Sequence, residues 1–144
     1  MKILDNNALN FIMNNRTQLS EYFYITTDVK NECEAWFEDA LPKEIHDICE
    51  KDFFSKATYL GYYKEMLNKH SGRSFYNMTG FGDISILALL KTIKLENKGK
   101  LIGEDCIIIT SDGPLVKKIK SEFADMSDDF DKSIKIFKAE EYFV

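Results

Sequence analysis

Met1-Lys2-Ile3-Leu4-Asp5-Asn6-Asn7-Ala8-Leu9 sets the frame for the rest of the chain. A short apolar run from the first residue reads as a strand, and the polar trio Asp5-Asn6-Asn7 falls where that strand must end and a helix begin. Asp5 therefore stands at the carboxyl end of a strand, outside which ligands collect in open α/β sheets. The same position also suits a helix N-cap, and on this stretch alone the two roles are equally open.

Outward from it, Asn7 to about Asn14 carries Ala8, Leu9, Phe11 and Ile12 and predicts a short helix, broken by Asn14-Asn15-Arg16-Thr17. Tyr22-Phe23-Tyr24-Ile25-Thr26 reads as a second strand, aromatic and β-branched. Thr27 or Asp28 is the expected cap of the next helix, in which Val29, Cys33, Trp36 and Ala40 recur on one stripe. Glu34 and Glu38 fall on the opposite face of that helix. Glu32 lies close to the apolar stripe and points inward.

From Pro42 to about Met78 the pattern is a helical insert with no strand signal, and His46 and His70 are expected on its helices. Tyr59, Tyr62, Tyr63 and Phe75 are at a spacing that favours core packing over base stacking. Arg73 sits in the loop Ser71-Gly72-Arg73-Ser74, where it is a candidate for phosphate contact. Gly80-Phe81-Gly82-Asp83 opens the most apolar helix, Ile84 to about Leu95, with Asp83 at the amino end of its Leu87–Leu90 ridge. Gly80-x-Gly82-x-x-Ser85 is only half of a dinucleotide fingerprint, since no strand precedes it and the last glycine is absent.

Cys106-Ile107-Ile108-Ile109-Thr110 runs apolar without alternation, as a parallel strand covered on both faces does. It ends in Ser111-Asp112-Gly113-Pro114, with proline suited to a first helical turn, so Asp112 repeats the position of Asp5. Asp125 to Asp131 reads as a solvated acidic loop and Ser133 to Phe137 as a closing strand.

At 144 residues, 44% hydrophobic, the chain predicts one domain spanning residues 1–144 with a core of its own. A net charge of −5 argues against a broad basic face, so any contact with nucleic acid must be local. Cys33, Cys49 and Cys106 are scattered, without zinc-ligand spacing, and read as buried reduced thiols. No apolar run approaches the roughly 20 residues of a membrane span, and no signal-peptide pattern opens the chain. A cytoplasmic protein is expected.

Strand–helix–strand–helix, a helical insert, then helix–strand–helix–strand predicts a three-layer α/β/α sandwich with a mostly parallel central sheet. Right-handed crossovers would bring Asp5 and Asp112 to one edge, and Glu32 and Asp83 face the core toward it. Converging carboxylates in a partly desolvated pocket need protons or a cation. Oxygen-only donors suit Mg²⁺ or Mn²⁺, and carboxylate-held magnesium serves phosphate chemistry.

Four stretches resemble, in order, the motifs of PIN-domain nucleases: Leu4 to Leu9, Ile25 to Glu32, Gly82 to Leu89, and Ile108 to Leu115. The resemblance implies a metal-dependent ribonuclease acting on RNA, with Asp5, Glu32, Asp83 and Asp112 as the acidic site. Asp5, Asp83 and Asp112 are then the direct metal ligands, and Glu32 binds through water or orients the nucleophile. Asn7 and Thr110 match the polar helpers of the first and last acids. Many small members of this family are toxins of VapC type, held by a cognate antitoxin and commonly homodimeric. The chain departs from the family in having Asn6 where Thr or Ser is common and Ser111 where Asn or Asp is usual. Neither departure removes a carboxylate.

Lys117, Lys118 and Lys120, beside the last motif, are candidates for guiding phosphates or simply a solvated helix face. A haloacid-dehalogenase-like phosphatase would use Asp5 as nucleophile, but that class wants a second aspartate where Asn7 stands, and an amide cannot donate and recover a proton. A module that keeps the fold without catalysis, binding RNA or a protein partner, is the remaining alternative.

Overall fold

The computed structural model describes residues 1–34, 41–50, 54–70, 80–96 and 105–143. The opening run forms β1 (Lys2–Leu4), and Asp5 ends it by capping α1 (Asn6–Asn15). There follow β2 (Phe23–Ile25), α2 (Thr27–Glu34), β3 (Ile45–Asp47), α3 (Lys56–His70), α4 (Phe81–Glu96) and β4 (Cys106–Ile109). The chain closes with α5 (Gly113–Glu122), α6 (Asp129–Ser133), β5 (Ile134–Phe137) and α7 (Ala139–Tyr142).

The strands make one parallel sheet in the order β3-β2-β1-β4-β5. Connections from β1 step toward β3, whereas those leaving β3 and β4 step the other way. Right-handed crossovers therefore place α1 and α2 on one face and α4 and α5 on the other, the expected three layers. Ile3, Leu4, Ile108 and Ile109 are all fully buried, as central strands covered on both faces must be. Helix α4 is buried along almost its whole length, from Ile84 to Leu90 and again at Thr92, because α3 packs along it and α2 and α5 also meet it. No helix among the described residues is long and apolar enough to cross a membrane.

Three expectations are corrected. The segment after Pro42 is not wholly helical: Ile45–Asp47 is a strand paired in parallel with Phe23–Ile25, and Ile48–Glu50 is a single 3₁₀ turn. Its inward positions are Ile45 and Asp47, and the buried carboxylate is satisfied by Thr27 Oγ1 at 2.8 Å and the Cys49 amide at 2.9 Å. An aspartate in place of an apolar residue erases the alternation by which a strand of this length is recognised. His46 accordingly lies on β3, between the rings of Tyr22 and Tyr24, and not on a helix.

The acidic stretch Asp125 to Asp131 is likewise more than a solvated loop. Asp128 caps α6 by accepting from the Phe130 and Asp131 amides, while buried Asp131 takes Lys94 Nζ at 2.8 Å and the Asp125 amide at 3.0 Å. The cap of α2 is Thr26, whose Oγ1 accepts from the Val29 amide at 3.2 Å, one residue before the expected Thr27 or Asp28. The three cysteines are free thiols, with Cys33 and Cys106 buried and Cys49 half-buried. Trp36, Glu38, Ala40, Arg73 and Phe75 lie outside the described residues.

Candidate active site

The strand order reverses between β1 and β4, which leaves a crevice at their carboxyl ends. Register fixes what lines it. Leu4 pairs with Ile109, the Asp5 amide donates to the Ile109 carbonyl at 3.3 Å, and the Thr110 amide donates to the Phe137 carbonyl at 2.8 Å. Asp5 and Thr110 thus stand side by side, one residue past their strands.

Asp5 is 2% exposed and fills both of the roles open to it from sequence. Its Oδ1 caps α1 through the Ala8 amide at 2.8 Å, and its Oδ2 accepts from the Thr110 hydroxyl. That hydroxyl in turn accepts the Asp112 amide at 3.0 Å, and Asp112 Oδ1 caps α5 through the Leu115 amide at 3.2 Å. One threonine side chain therefore joins the first acid to the last. Burial pushes the Asp5 carboxyl up to about 6, and the charge of Asp112 adds to this. Hydrogen bonds from Thr110, Ala8 and Asn7 work in the opposite direction. Asn7 acts here through its backbone amide, while its side chain is exposed.

Asp83 arrives from the first turn of α4. Burial, then the charges of Asp112 and Asp5, then a hydrogen bond to the Asp112 side chain push its carboxyl up to about 7. The charge of Lys118 opposes the shift, which places this half-buried lysine beside the acids, whereas Lys117 and Lys120 are exposed.

Glu32 stands to one side. Its Oε1 accepts the Gly82 amide at 3.1 Å, so it caps the first turn of α4 rather than joining the Asp5–Asp83–Asp112 group directly. Burial raises its carboxyl, and the neighbouring charge that adds most is Asp28, itself hydrogen-bonded to Tyr63. Burial, then Glu32, then Asp5 push the Cys33 thiol up to about 12, so it is no nucleophile.

Several supporting residues went unassigned in the sequence. A Cβ on Gly82 would lie 3.0 Å from Glu32 Oε2, 3.3 Å from Asn6 Nδ2 and 3.3 Å from Val29 Cγ2, so a side chain here would press on α1 and α2 where they meet α4. Gly80-x-Gly82 is thus a close-approach signal, the readable part of the rejected fingerprint. Ser85 Oγ donates to the Gly82 carbonyl at 2.6 Å, which leaves Thr26 Oγ1 to donate to Ser85 Oγ at 2.6 Å. That relay ties the start of α2 to the start of α4. Asn6, at the departure from the PIN pattern, accepts weakly from Cys33 Sγ at 3.7 Å.

Comparison with protein-family models, curated proteins and solved structures finds no match.

Among the described residues no three His, Cys, Asp or Glu side chains form a ready-made cage for a metal ion. The donor chemistry nonetheless fits a hard divalent cation. Asp5, Asp83 and Asp112 offer oxygen alone, and the first two are held toward neutrality by burial and by the charge of Asp112, a state that a cation would replace by ionising them. Zinc, which favours nitrogen and sulfur, fits less well.

Because the Thr110 hydrogen bond opposes the upward shift of Asp5, Thr110→Val is expected to raise that carboxyl further. The folded state then holds the proton to higher pH, so the acidic limb of any pH–rate profile should move upward by about half a unit to one unit. A profile unchanged in position, with only its height reduced, would show that Thr110 merely packs.

Proposed function

We propose that this protein is a Mg²⁺- or Mn²⁺-dependent ribonuclease that hydrolyses RNA phosphodiester bonds. The observation that carries the reading is the approach of Asp5, Asp83 and Asp112, from three separate elements, at the crevice where the strand order reverses, close enough that the charges of Asp112 and Asp5 raise the carboxyl of Asp83. The other buried acids have neutralising or donating partners, Asp131 in Lys94 and Asp47 in Thr27 and the Cys49 amide. These three instead face one another, at a cost in stability that a ligand can repay.

A bound divalent cation would polarise a water and neutralise charge on the phosphodiester. Asp5, Asp83 and Asp112 would hold it. Thr110 keeps the first and last of these in fixed relation, and the Gly82 amide fixes Glu32 through Oε1. Glu32 Oε2 accepts no hydrogen bond among the described residues and is the atom left to orient the attacking water. Hydrolysis forms a bond from water oxygen to phosphorus and breaks the bond to the leaving ribose oxygen. The water's proton passes to a carboxylate, and the leaving oxygen takes one from solvent. Lys118, whose charge acts on Asp83, would meet the phosphate. A role as the toxin of a paired system, with an antitoxin and a homodimeric form, rests on the PIN resemblance alone.

The test is cleavage of a labelled RNA by the purified protein with Mg²⁺, with Mn²⁺ and with EDTA, set beside Asp5→Asn. Cleavage that requires the cation and falls at least about a hundredfold in the variant is expected, the usual scale when a group acting at the transition state is removed. Activity indifferent to both chelation and substitution would overturn the reading.

A further inference from the structure

A groove of about 970 Å³ begins at Thr110 and Ser111, beside the acid cluster, and runs between α5, α6 and the edge strand β5. That volume is at the upper end of ligand clefts, roughly 300–1,000 Å³. Its floor is apolar, with Ile119, Phe123 and Ile136 within it and Met126, 68% exposed, and Phe137 at its surface. Its rim is basic: Lys117, Lys120, Lys132, Lys135 and Lys138 all line it. None of these lysines makes an ion pair among the described residues. Of the acids in the groove, Asp131 is neutralised by Lys94 at 2.8 Å, which leaves Glu141.

Five lysines on one groove, none ion-paired among the described residues, are a strong local concentration in a chain with 19 basic residues and a net charge of −5. A protein that is acidic overall meets a polyanion only where it concentrates charge in this way. Building on the ribonuclease reading, we propose that this groove is the track of single-stranded RNA at the acid cluster, with the lysines on its phosphates and Phe137 and Met126 against its bases. The apolar floor under a basic rim selects a single strand, because a duplex presents phosphates but keeps its bases stacked away from Phe137. An acidic peptide would match the same charge and floor. Continuity with the acids at Thr110 and Ser111 favours the polymer whose backbone must enter the cluster.

The probe is a 5′-labelled, mixed-sequence single-stranded RNA of about 12 nucleotides, long enough for one single-strand site, followed by fluorescence anisotropy in EDTA so that no cleavage occurs. Lys132→Ala/Lys135→Ala/Lys138→Ala is compared with wild type and with Lys43→Ala/Lys64→Ala, two exposed lysines outside the groove. The triple variant should bind about tenfold or more weakly, and its slope of log affinity against log salt should fall by about 2, at roughly 0.7 per lost phosphate contact. The control pair should stay within about twofold of wild type. Phe137→Ala should weaken binding roughly fivefold with the slope unchanged, as loss of a stacking contact does. Equal binding and slope in wild type and the triple variant would overturn the track. So would competition by duplex RNA as effective as by single strand, or a triple variant whose only change is loss of self-association by sedimentation. The two readings fail separately: RNA binding lost in the triple variant without any Mn²⁺-dependent cleavage by wild type removes the nuclease and keeps the track. Cleavage with undiminished binding in the triple variant does the reverse.

Discussion

At pH 8, Asp83→Asn is expected to melt about 4–8 °C above the wild-type protein when both are metal-free, while losing cation-dependent cleavage altogether. The carboxyl of Asp83 is pushed up to about 7 by burial and by the charges of Asp112 and Asp5. An acid whose folded value lies above its unfolded value makes the folded state prefer the proton. The penalty is therefore fully present above about 7, shrinks as the pH falls, and is gone below the ordinary value of 3.8. An amide carries no charge and escapes it. About 1.4 kcal/mol per unit sets the ceiling, and solvent screening at the half-buried Asp83 brings the expected gain to about 2 kcal/mol. Melting curves at pH 8 and pH 4 check the sign, since the advantage of the variant should vanish at the lower pH. A variant less stable than wild type at pH 8 would mean that Asp83 is an ordinary structural acid.

Glu122→Gln should do the opposite and destabilise the fold by about 2 kcal/mol at pH 7. Glu122 ends α5, its side chain is 4% exposed, and it receives Lys69 Nζ at 2.6 Å, His70 Nε2 at 3.0 Å and Lys91 Nζ at 3.1 Å. Burial alone would raise its carboxyl, but hydrogen bonds from Lys69 and Lys91, the charge of Lys91 and a hydrogen bond from His70 outweigh burial and hold it at about 2. Because the folded value is depressed, the contribution is complete above about 4.5 and disappears as the pH falls toward 2. The exposure of Lys69 trims the gain relative to a fully buried pair. Urea unfolding at pH 7 and at pH 3 should show a large difference at the first and a much smaller one at the second. Equal midpoints at pH 7 would exclude the cluster as the clamp joining α3, α4 and α5.

The two clusters divide the acids of this chain by partner, and that division explains what could be read from sequence. Asp5 and Asp112 were legible because each follows an apolar run at a strand-to-helix junction, a purely local pattern. Their juxtaposition followed from parallel topology, which the apolar runs of β1 and β4 already implied. Asp83 was legible by its place before an apolar helix. Glu32 was legible as facing inward, but not its place to one side of the other three, since its partner is the Gly82 amide and only packing of α2 on α4 reveals that. Strand β3 was missed because Asp47 fills one of its two inward positions, held by Thr27 and by its own backbone neighbour. The structural use of Asp128 and Asp131 was missed for the same kind of reason: Lys94 lies 37 residues from Asp131 in sequence. A run of aspartates shows no period that distinguishes caps and buried ion pairs from solvated charge. The basic groove is equally invisible in sequence, because its lysines come from α5, α6, β5 and the cap of α7.

Titration of Mn²⁺ into the protein by calorimetry, at pH 6 and pH 8, tests the acid cluster most directly. Binding should be tighter at pH 8. At pH 6 it should release between about one and two protons to the buffer, because the cation replaces the proton that burial keeps on Asp83 and, in part, on Asp5. Asp5→Asn, Asp83→Asn and Asp112→Asn should each abolish or greatly weaken the heat of binding. Absence of Mn²⁺ binding at either pH, or binding that all three substitutions leave unchanged, would contradict a metal-dependent site at the end of the opening strand.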